Sequence, residues 1–406
     1  MMGTRIHITQ LRPGMRIEKL DRSWFATPFF RHRMAITSFE QVEQLKACGV
    51  ETLDITGDLT DAQEEAPPPV QAEESPPERS LSDHTPPATV PFEEELSAAR
   101  LVYSAAKTVI EGAMQDVRMG RDINMDAVNQ VVSEMADSVL RNPDALTSLS
   151  RLKHFDEYTF YHSVNTSLLA LSLGRNLGFD EAVLHQLGVG TLLHDIGKMK
   201  IPLEILNKPG KFESHEFEVM KQHVMRGAEI LSVTTGLEDN FLKPALEHHE
   251  RVDGTGYPYR RKREEISQFG MMAAVVDIYD AITSDRCYHK GKPAHEALQF
   301  LYMISQKGHL EHTIVQRFIQ IVGIYPVGSI VTLNTGETAV VRRINRLAPL
   351  EPVVLVVKGA GNTLLAHPQE YDLSRHESQP PRSIAVVTDP QTAGLNPATY
   401  LDQEPV

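Results

Sequence analysis

The stretch VLHQLGVGTLLHDIGK (183–198) decides the architecture. Val183, Leu187 and Gly190 recur at helical spacing, and Val189, Leu192 and Leu193 run apolar directly into His194 and Asp195. Working outward, the helical period holds upstream at Val128, Val132, Met135 and Val139, and persists from Glu93 to about Ile324. Helices separated by short turns predict a bundle-like, mainly α core.

Both flanks change period. Arg5–Thr9 and Met15–Leu20 alternate like strands around the turn Arg12–Pro13–Gly14. A short helix is predicted through Phe39, Val42 and Leu45 behind a Ser38/Gln41 capping box and ahead of a Gly49 cap, and Val50–Ile55 reads as a returning strand. Residues 1–60 are thus expected to form a small α+β domain. Residues 61–92, rich in Pro, Glu and Ser, hold too little apolar surface to offset ordering entropy and read as a linker. The helical domain follows over 93–326. Ser329–Leu333, Thr338–Ile344 and Pro352–Lys358 then read as three strands of a small β segment at 327–375, the first two joined across Asn334–Thr335–Gly336. Residues 376–406, polar and containing Pro380–Pro381, are expected to form a disordered tail.

A net charge of −14 disfavours nucleic-acid polymers and acidic membrane surfaces through long-range repulsion, but leaves room for a small anion at a locally positive site. Cys48 and Cys287 are distant and have no C-x-x-C spacing, so a disulfide framework is not expected and a reducing compartment fits. No apolar run approaches the roughly 20 residues of a membrane span, and the first residues lack the apolar core of a signal peptide. A soluble, cytoplasmic protein is expected.

Twelve of the seventeen histidines fall between His154 and His312, a concentration that ordinary folding does not require. An isolated His-Asp pair such as His194–Asp195 is more often a core histidine beside a local cap. Together, however, imidazole and carboxylate suit transition metals, and a carboxylate can bridge two ions. His248–His249–Glu250 repeats the theme after another apolar helix, with His162 on the helix before the first pair and His223 on the helix after it. Asp277 lies inside the apolar run Ala273–Val276 and Ile278, where an unpartnered carboxylate is costly and needs a cation or strong donors. Helices each offering inward imidazole or carboxylate groups are how a bundle builds a two-metal centre. The loop Asp253–Gly254–Thr255–Gly256–Tyr257–Pro258 has the composition of a tight irregular turn and would bring Tyr257 to the metals, its ring toward a base and its hydroxyl toward a phosphate.

This ordered set resembles the HD-GYP family, the branch of the HD phosphohydrolases that cleaves cyclic di-GMP, over roughly residues 150–320. The first sixty residues also resemble the small domain often found ahead of that catalytic domain. The resemblance implies an HD-type helical bundle holding two divalent metal ions, commonly iron or manganese. Asp195 would bridge them, with His162, His194, His223, His248, His249 and Asp277 completing the shells. Tyr158 stands where some members carry a carboxylate for a third ion, which favours two. Lys198 would place positive charge on the phosphate, Tyr257 and Arg286 would touch substrate, and a basic residue shortly after Arg286 would join them, with His289 and Lys290 both present there.

The implied reaction is attack of a metal-bridging hydroxide on one phosphodiester, giving linear pGpG and, after a second round, GMP. Signalling proteins such as diguanylate cyclases, and a second copy in a homodimer, are further partners of this reading. A catalytically weak cyclic di-GMP sensor and an HD hydrolase acting on another cyclic dinucleotide are the alternatives. Arg260–Arg261–Lys262–Arg263, by default a solvated cationic face, would in an acidic protein draw a doubly anionic ligand toward the cleft.

Overall fold

The computed structural model describes residues 4–20, 34–36, 39, 42, 45–46, 50, 52–56, 88–149, 158–284, 291–345, 348–376, 381–388 and 390–401. The chain forms two units, residues 1–83 and 84–406.

In the first unit β1 (Thr4–His7), β2 (Arg16–Leu20), β3 (Met34–Ala35) and β4 (Thr52–Thr56) form an antiparallel sheet in the order β1-β4-β2-β3. Gly14, at φ +95°, supplies the turn before β2. Ile6, Ile17, Leu53 and Ile55 alternate onto the buried face, where Val42 and Leu45 join them. The Ser38/Gln41 cap, Gly49 and most of the linker, residues 61–87, lie outside the described residues.

The second unit is helical up to residue 322. Its helices are α1 (Phe92–Arg118), α2 (Met125–Arg141), α3 (Pro143–Leu149), α4 (Tyr158–Asn176), α5 (Glu181–Leu192), α6 (Leu203–Leu206), α7 (Ser214–Ser232), α8 (Asp239–Glu247), α9 (Gln268–Thr283), α10 (Ala294–Gln306) and α11 (His312–Val322). Several start where a side chain satisfies a free amide: Asn124 accepts from Ala127 N, Asp180 from Val183 N and Ser267 from Gly270 N. Two apolar clusters share α4 and α5. Leu168 and Leu171 pack with α1–α3, whereas Leu169 and Leu173 pack with α9–α11. A helix covered on both sides has no solvent face, so the polar residues of α4, His162 and Asn165 among them, are buried and need internal partners.

Gly323, at φ +79°, ends α11 and turns the chain into a five-stranded antiparallel sheet. Its strands, β5 (Ile330–Leu333), β6 (Thr338–Arg343), β7 (Val353–Lys358), β8 (Leu364–Asp372) and β9 (Ile384–Thr388), are ordered β8-β7-β6-β5-β9. The three expected strands are present, with Gly336 at φ +80° in the β5–β6 turn. The disordered tail expected from residue 376 onward is corrected here. Val387 pairs with Val331 and Thr388 with Ile330, and the short helices α12 (Pro390–Ala393) and α13 (Ala398–Leu401) follow. Ala393 and Leu395 then cover the buried face formed by Ile330, Val340 and Leu355. Among the described residues, no helix is long and apolar enough to cross a membrane.

Candidate active site

Glycine lets two pieces of backbone meet at the centre. After α5 the chain tightens into a 3-10 turn, Ile196–Lys200, which packs on α7 so closely that a Cβ on Gly197 would lie 1.9 Å from His223 O and 2.4 Å from Gly227 N. The two glycines bring Asp195 within reach of His223 on the neighbouring helix.

Asp195 is the hub. Its Oδ2 lies 3.4 Å from His194 Nε2 and 3.6 Å from His162 Nε2, while Oδ1 lies 3.5 Å from His223 Nε2 and 3.8 Å from His248 Nε2. Each oxygen therefore faces its own imidazole group. Asp277, from α9, joins the first with Oδ1 3.1 Å from His162 Nε2. His249 joins the second, its ring centroid 5.1 Å from that of His223 and 4.0 Å from that of His248. His162, His194 and Asp277 form one set of converging donor atoms, and His223, His248 and His249 form another. The seven residues expected as ligands from the sequence are thus brought together, from α4, α7, α9 and the ends of α5 and α8.

Backbone carbonyls aim the rings. His194 Nδ1 meets Thr191 O at 2.7 Å, His223 Nδ1 meets Met220 O at 2.7 Å, and His248 Nδ1 meets Pro244 O at 2.8 Å. A carbonyl only accepts, so each Nδ1 carries the proton and each Nε2 turns a lone pair inward. His223 Nε2 and His248 Nε2 stand 3.4 Å apart, an arrangement of facing lone pairs that a cation or a proton relieves. His194 Nε2 and Asp195 Oδ1 are buried without a hydrogen-bond partner. Orphaned donor atoms of this kind, on imidazole and carboxylate, fit a divalent transition metal.

The electrostatics agree. Burial holds His223 down at about 4 and His248 at about 3, and also lowers His194 and His249, so four rings are neutral and available as ligands at pH 7. Burial opposes charge on Asp195 too, but the Lys198 ammonium, with the charged His162 ring beside it, outweighs this and keeps the carboxyl well below its usual range. Lys198 Nζ donates directly to Asp195 Oδ2. His162 is different: burial disfavours its charge, but hydrogen bonds to Asp277 and Asp280 raise it to about 9.

Asp280 is the principal residue that the sequence reading left without a role. Its Oδ2 accepts from His162 Nδ1 at 2.7 Å and Oδ1 from Asn165 Nδ2 at 2.8 Å, while Asn165 Oδ1 accepts from Tyr103 OH at 2.8 Å. The signal was present, since two aspartates three apart on an apolar helix share a face. Two glutamates are structural. Glu247 accepts from Ser267 N and from Arg261, and Glu250 accepts from Tyr259 N at 2.7 Å and Arg261 N at 3.0 Å, which folds the loop back over the site. Gly256 permits that return, because a Cβ there would lie 2.4 Å from Arg251 N. Tyr257 consequently stacks on His249, centroids 4.6 Å apart, and burial pushes its phenol upward.

The cationic run does not form one free face. Arg261 pairs with Glu247 and Arg263 with Glu311. Arg286, His289, Lys290 and the side chain of Tyr158 lie outside the described residues.

Comparisons with known proteins match three stretches of the chain. A family described as an HD domain matches residues 130–314, a domain of unknown function (DUF3391) matches 4–128, and a KOW domain associated with HD domain matches 330–392. A cyclic di-GMP phosphodiesterase of Pseudomonas aeruginosa is 39% identical over 376 residues, 92% of this chain and 90% of its own. The chain belongs to the HD-GYP family. Two further relatives match a smaller share of this HD-GYP protein. A cyclic di-GMP phosphodiesterase of Thermotoga maritima is 36% identical over 43% of this chain and 47% of its own. A 3′3′-cGAMP-specific phosphodiesterase of Vibrio cholerae is 32% identical over 39% of this chain and 30% of its own.

Proposed function

We propose that this HD-GYP protein hydrolyses cyclic di-GMP to linear pGpG, with GMP as the product of a second round, at a centre of two divalent ions. The observation that carries the reading is the position of Asp195, one carboxylate oxygen toward each of two imidazole sets. His162, His194 and Asp277 would hold one ion, His223, His248 and His249 the other, and Asp195 would serve both. Iron and manganese are the metals the family resemblance implies, and nitrogen and carboxylate donors with no thiolate accept them as well as other divalent transition metals. When bound, such a pair supplies Lewis-acid chemistry, making water acidic near neutral pH and stabilising negative charge on a phosphodiester.

The chain's own groups prepare the site for that reaction. The carbonyl-anchored imidazoles stay neutral and fixed in direction, so little reorganisation accompanies turnover. Lys198, one 3-10 turn from Asp195, holds an ammonium where phosphate oxygens would arrive and balances charge on the diester. Tyr257, clamped on His249, walls the cleft and narrows water access. Arg286 and Lys290 are retained as candidates for phosphate and guanine contact. A cytoplasmic location, signalling partners such as diguanylate cyclases and a homodimer remain part of the same proposal.

The test is a product assay on metal-loaded protein. Linear pGpG formed by the wild type and lost in Asp195→Asn supports the enzyme, whereas tight cyclic di-GMP binding without turnover identifies a sensor. Running 3′3′-cGAMP beside it addresses a second reading favoured by the Vibrio cholerae relative. A higher kcat/KM on cGAMP than on cyclic di-GMP would reassign the substrate.

A further inference from the structure

An aromatic row leads outward from the candidate metal centre and ends on a half-exposed ring that, among the described residues, belongs to no core cluster. Tyr257 stacks on His249, and Phe217 of α7 stands edge-on to Tyr257 with centroids 6.2 Å apart and planes at 80°. Phe217 is 44% exposed. The buried stripe of α7 consists of His223, Val224, Gly227, Ala228 and Leu231, so the helix packs without Phe217. One turn along, Lys221 holds its Nζ 5.2 Å from the Phe217 centroid and 5.7 Å from that of Tyr257, and its remaining ion-pair partner is the exposed Glu218. An ammonium is thus suspended between two rings, two residues before the ligand His223.

We propose that Phe217 stacks on one guanine of the substrate and that Lys221 donates to that base's O6 and N7, making this pair a determinant of guanine over adenine. The inference rests on the cyclic-dinucleotide reading above. Every purine has a π face for Phe217, and stacking of a base on an aromatic side chain is sequence-tolerant. Selection therefore falls to Lys221. Guanine presents two acceptors, N7 and O6, along one edge, whereas adenine presents N7 beside the N6 amino donor. An ammonium has only hydrogens to offer, so it satisfies the first edge and opposes the second. The row also gives the right order in space, with phosphate chemistry beside His249 and the base two rings further out.

The experiment uses the metal-loaded full chain and three substrates: cyclic di-GMP, cyclic di-AMP and bis(p-nitrophenyl) phosphate, a diester with no purine. Phe217→Ala should raise KM for cyclic di-GMP by about tenfold or more, and Phe217→Tyr should restore it. Lys221→Met should shrink the kcat/KM preference for cyclic di-GMP over cyclic di-AMP by about tenfold, the scale of one charged hydrogen bond. Proportional losses on all three substrates would mark both residues as structural and overturn the inference. An unchanged guanine preference in Lys221→Met would overturn it as well. If the wild type splits bis(p-nitrophenyl) phosphate but no cyclic dinucleotide, the substrate reading itself has failed, which is a different result from wild-type turnover with an unaltered Phe217→Ala KM.

Discussion

Replacing Asp280 by Asn tests whether the centre depends on a group that touches no metal. The carboxylate accepts from His162 Nδ1 on one oxygen and from Asn165 Nδ2 on the other. Asn165 can rotate to help only by giving up the proton it accepts from Tyr103 OH and donating to that oxygen instead, which leaves the buried phenol proton without this partner. An amide at 280 has only one oxygen. Turned toward Asn165, it points NH2 at the N–H of His162 Nδ1, removes one of the two carboxylates that hold the ring's charge, and favours a neutral ring whose one proton sits on Nε2, the atom aimed at Asp277. Turned the other way, it sets two amino groups against each other. Either conflict costs about 1–3 kcal/mol in a buried site, and loss of a carboxylate behind a metal-binding histidine lowers metal affinity by about 10–100-fold. The assay is competition for Mn2+ against a chromophoric chelator, with denaturant unfolding of the metal-free protein as control. The expected result is loss of affinity in one of two binding equivalents, with turnover partly recovered at high Mn2+. Two equivalents bound with wild-type affinity in Asp280→Asn would refute the argument that the Tyr103–Asn165–Asp280 chain sets the His162 tautomer.

Three further outcomes follow from the same geometry. Gly197→Ala should destabilise the fold by about 1–3 kcal/mol and abolish binding of the second ion, since its Cβ would overlap His223 O and force α7 away; urea unfolding and metal stoichiometry check both parts. Adding Mn2+ to chelator-stripped protein at a thousandfold excess over Kd should add about 4 kcal/mol of unfolding free energy per ion bound and restore activity, and an unchanged unfolding midpoint would count against a preformed site. Burial resists ionisation of Glu95, but Arg141 and Ser138 prevail and lower its pKa below 4.5. Its contribution to stability is therefore complete above pH 4.5 and lost as pH falls through the lower folded value. Glu95→Gln should thus cost about 1–3 kcal/mol at pH 7, and the difference from wild type should narrow on acidification below pH 4.5.

What could be read from the sequence was local. His194–Asp195 and His248–His249 terminate apolar helical runs, and Asp277 violates one, so these candidate donors stand out against their neighbours, whereas His162 and His223 take their meaning from the set. Asp280 shares a face with Asp277, but its meaning depends on His162 and Asn165, more than a hundred residues earlier. The same physics hid the end of the C-terminal sheet. Ile384–Thr388 is a short apolar run set between Pro380–Pro381 and a polar end, and its order comes from pairing with Ile330–Leu333 across more than fifty residues. Leu364–Asp372 contains Pro368 and stays half exposed because only β7 pairs with it, so its burial pattern lacks the alternation of an inner strand. Arg261 and Arg263 looked like a free cationic face because Glu247 and Glu311, which neutralise them, lie 14 and 48 residues away.

The second motif divides its labour in a way that explains why its residues stand in that order. His248 and His249 supply donor atoms, but the adjacent Glu250, which looks like a third ligand, spends both oxygens on the amides of Tyr259 and Arg261. Asp253 is likewise architectural: one oxygen accepts from Thr255 N at 3.0 Å, the other from His309 Nδ1 at 2.8 Å, and His309 O takes Val252 N. The loop is therefore anchored at its start by the turn between α10 and α11, in its middle by Glu250 and at its end by Glu311. With those anchors fixed, Tyr257 has a single place to lie, against His249. A loop held this way is as rigid as the helices that anchor it, and α11 carries that anchorage directly to Gly323 and the first strand of the C-terminal sheet.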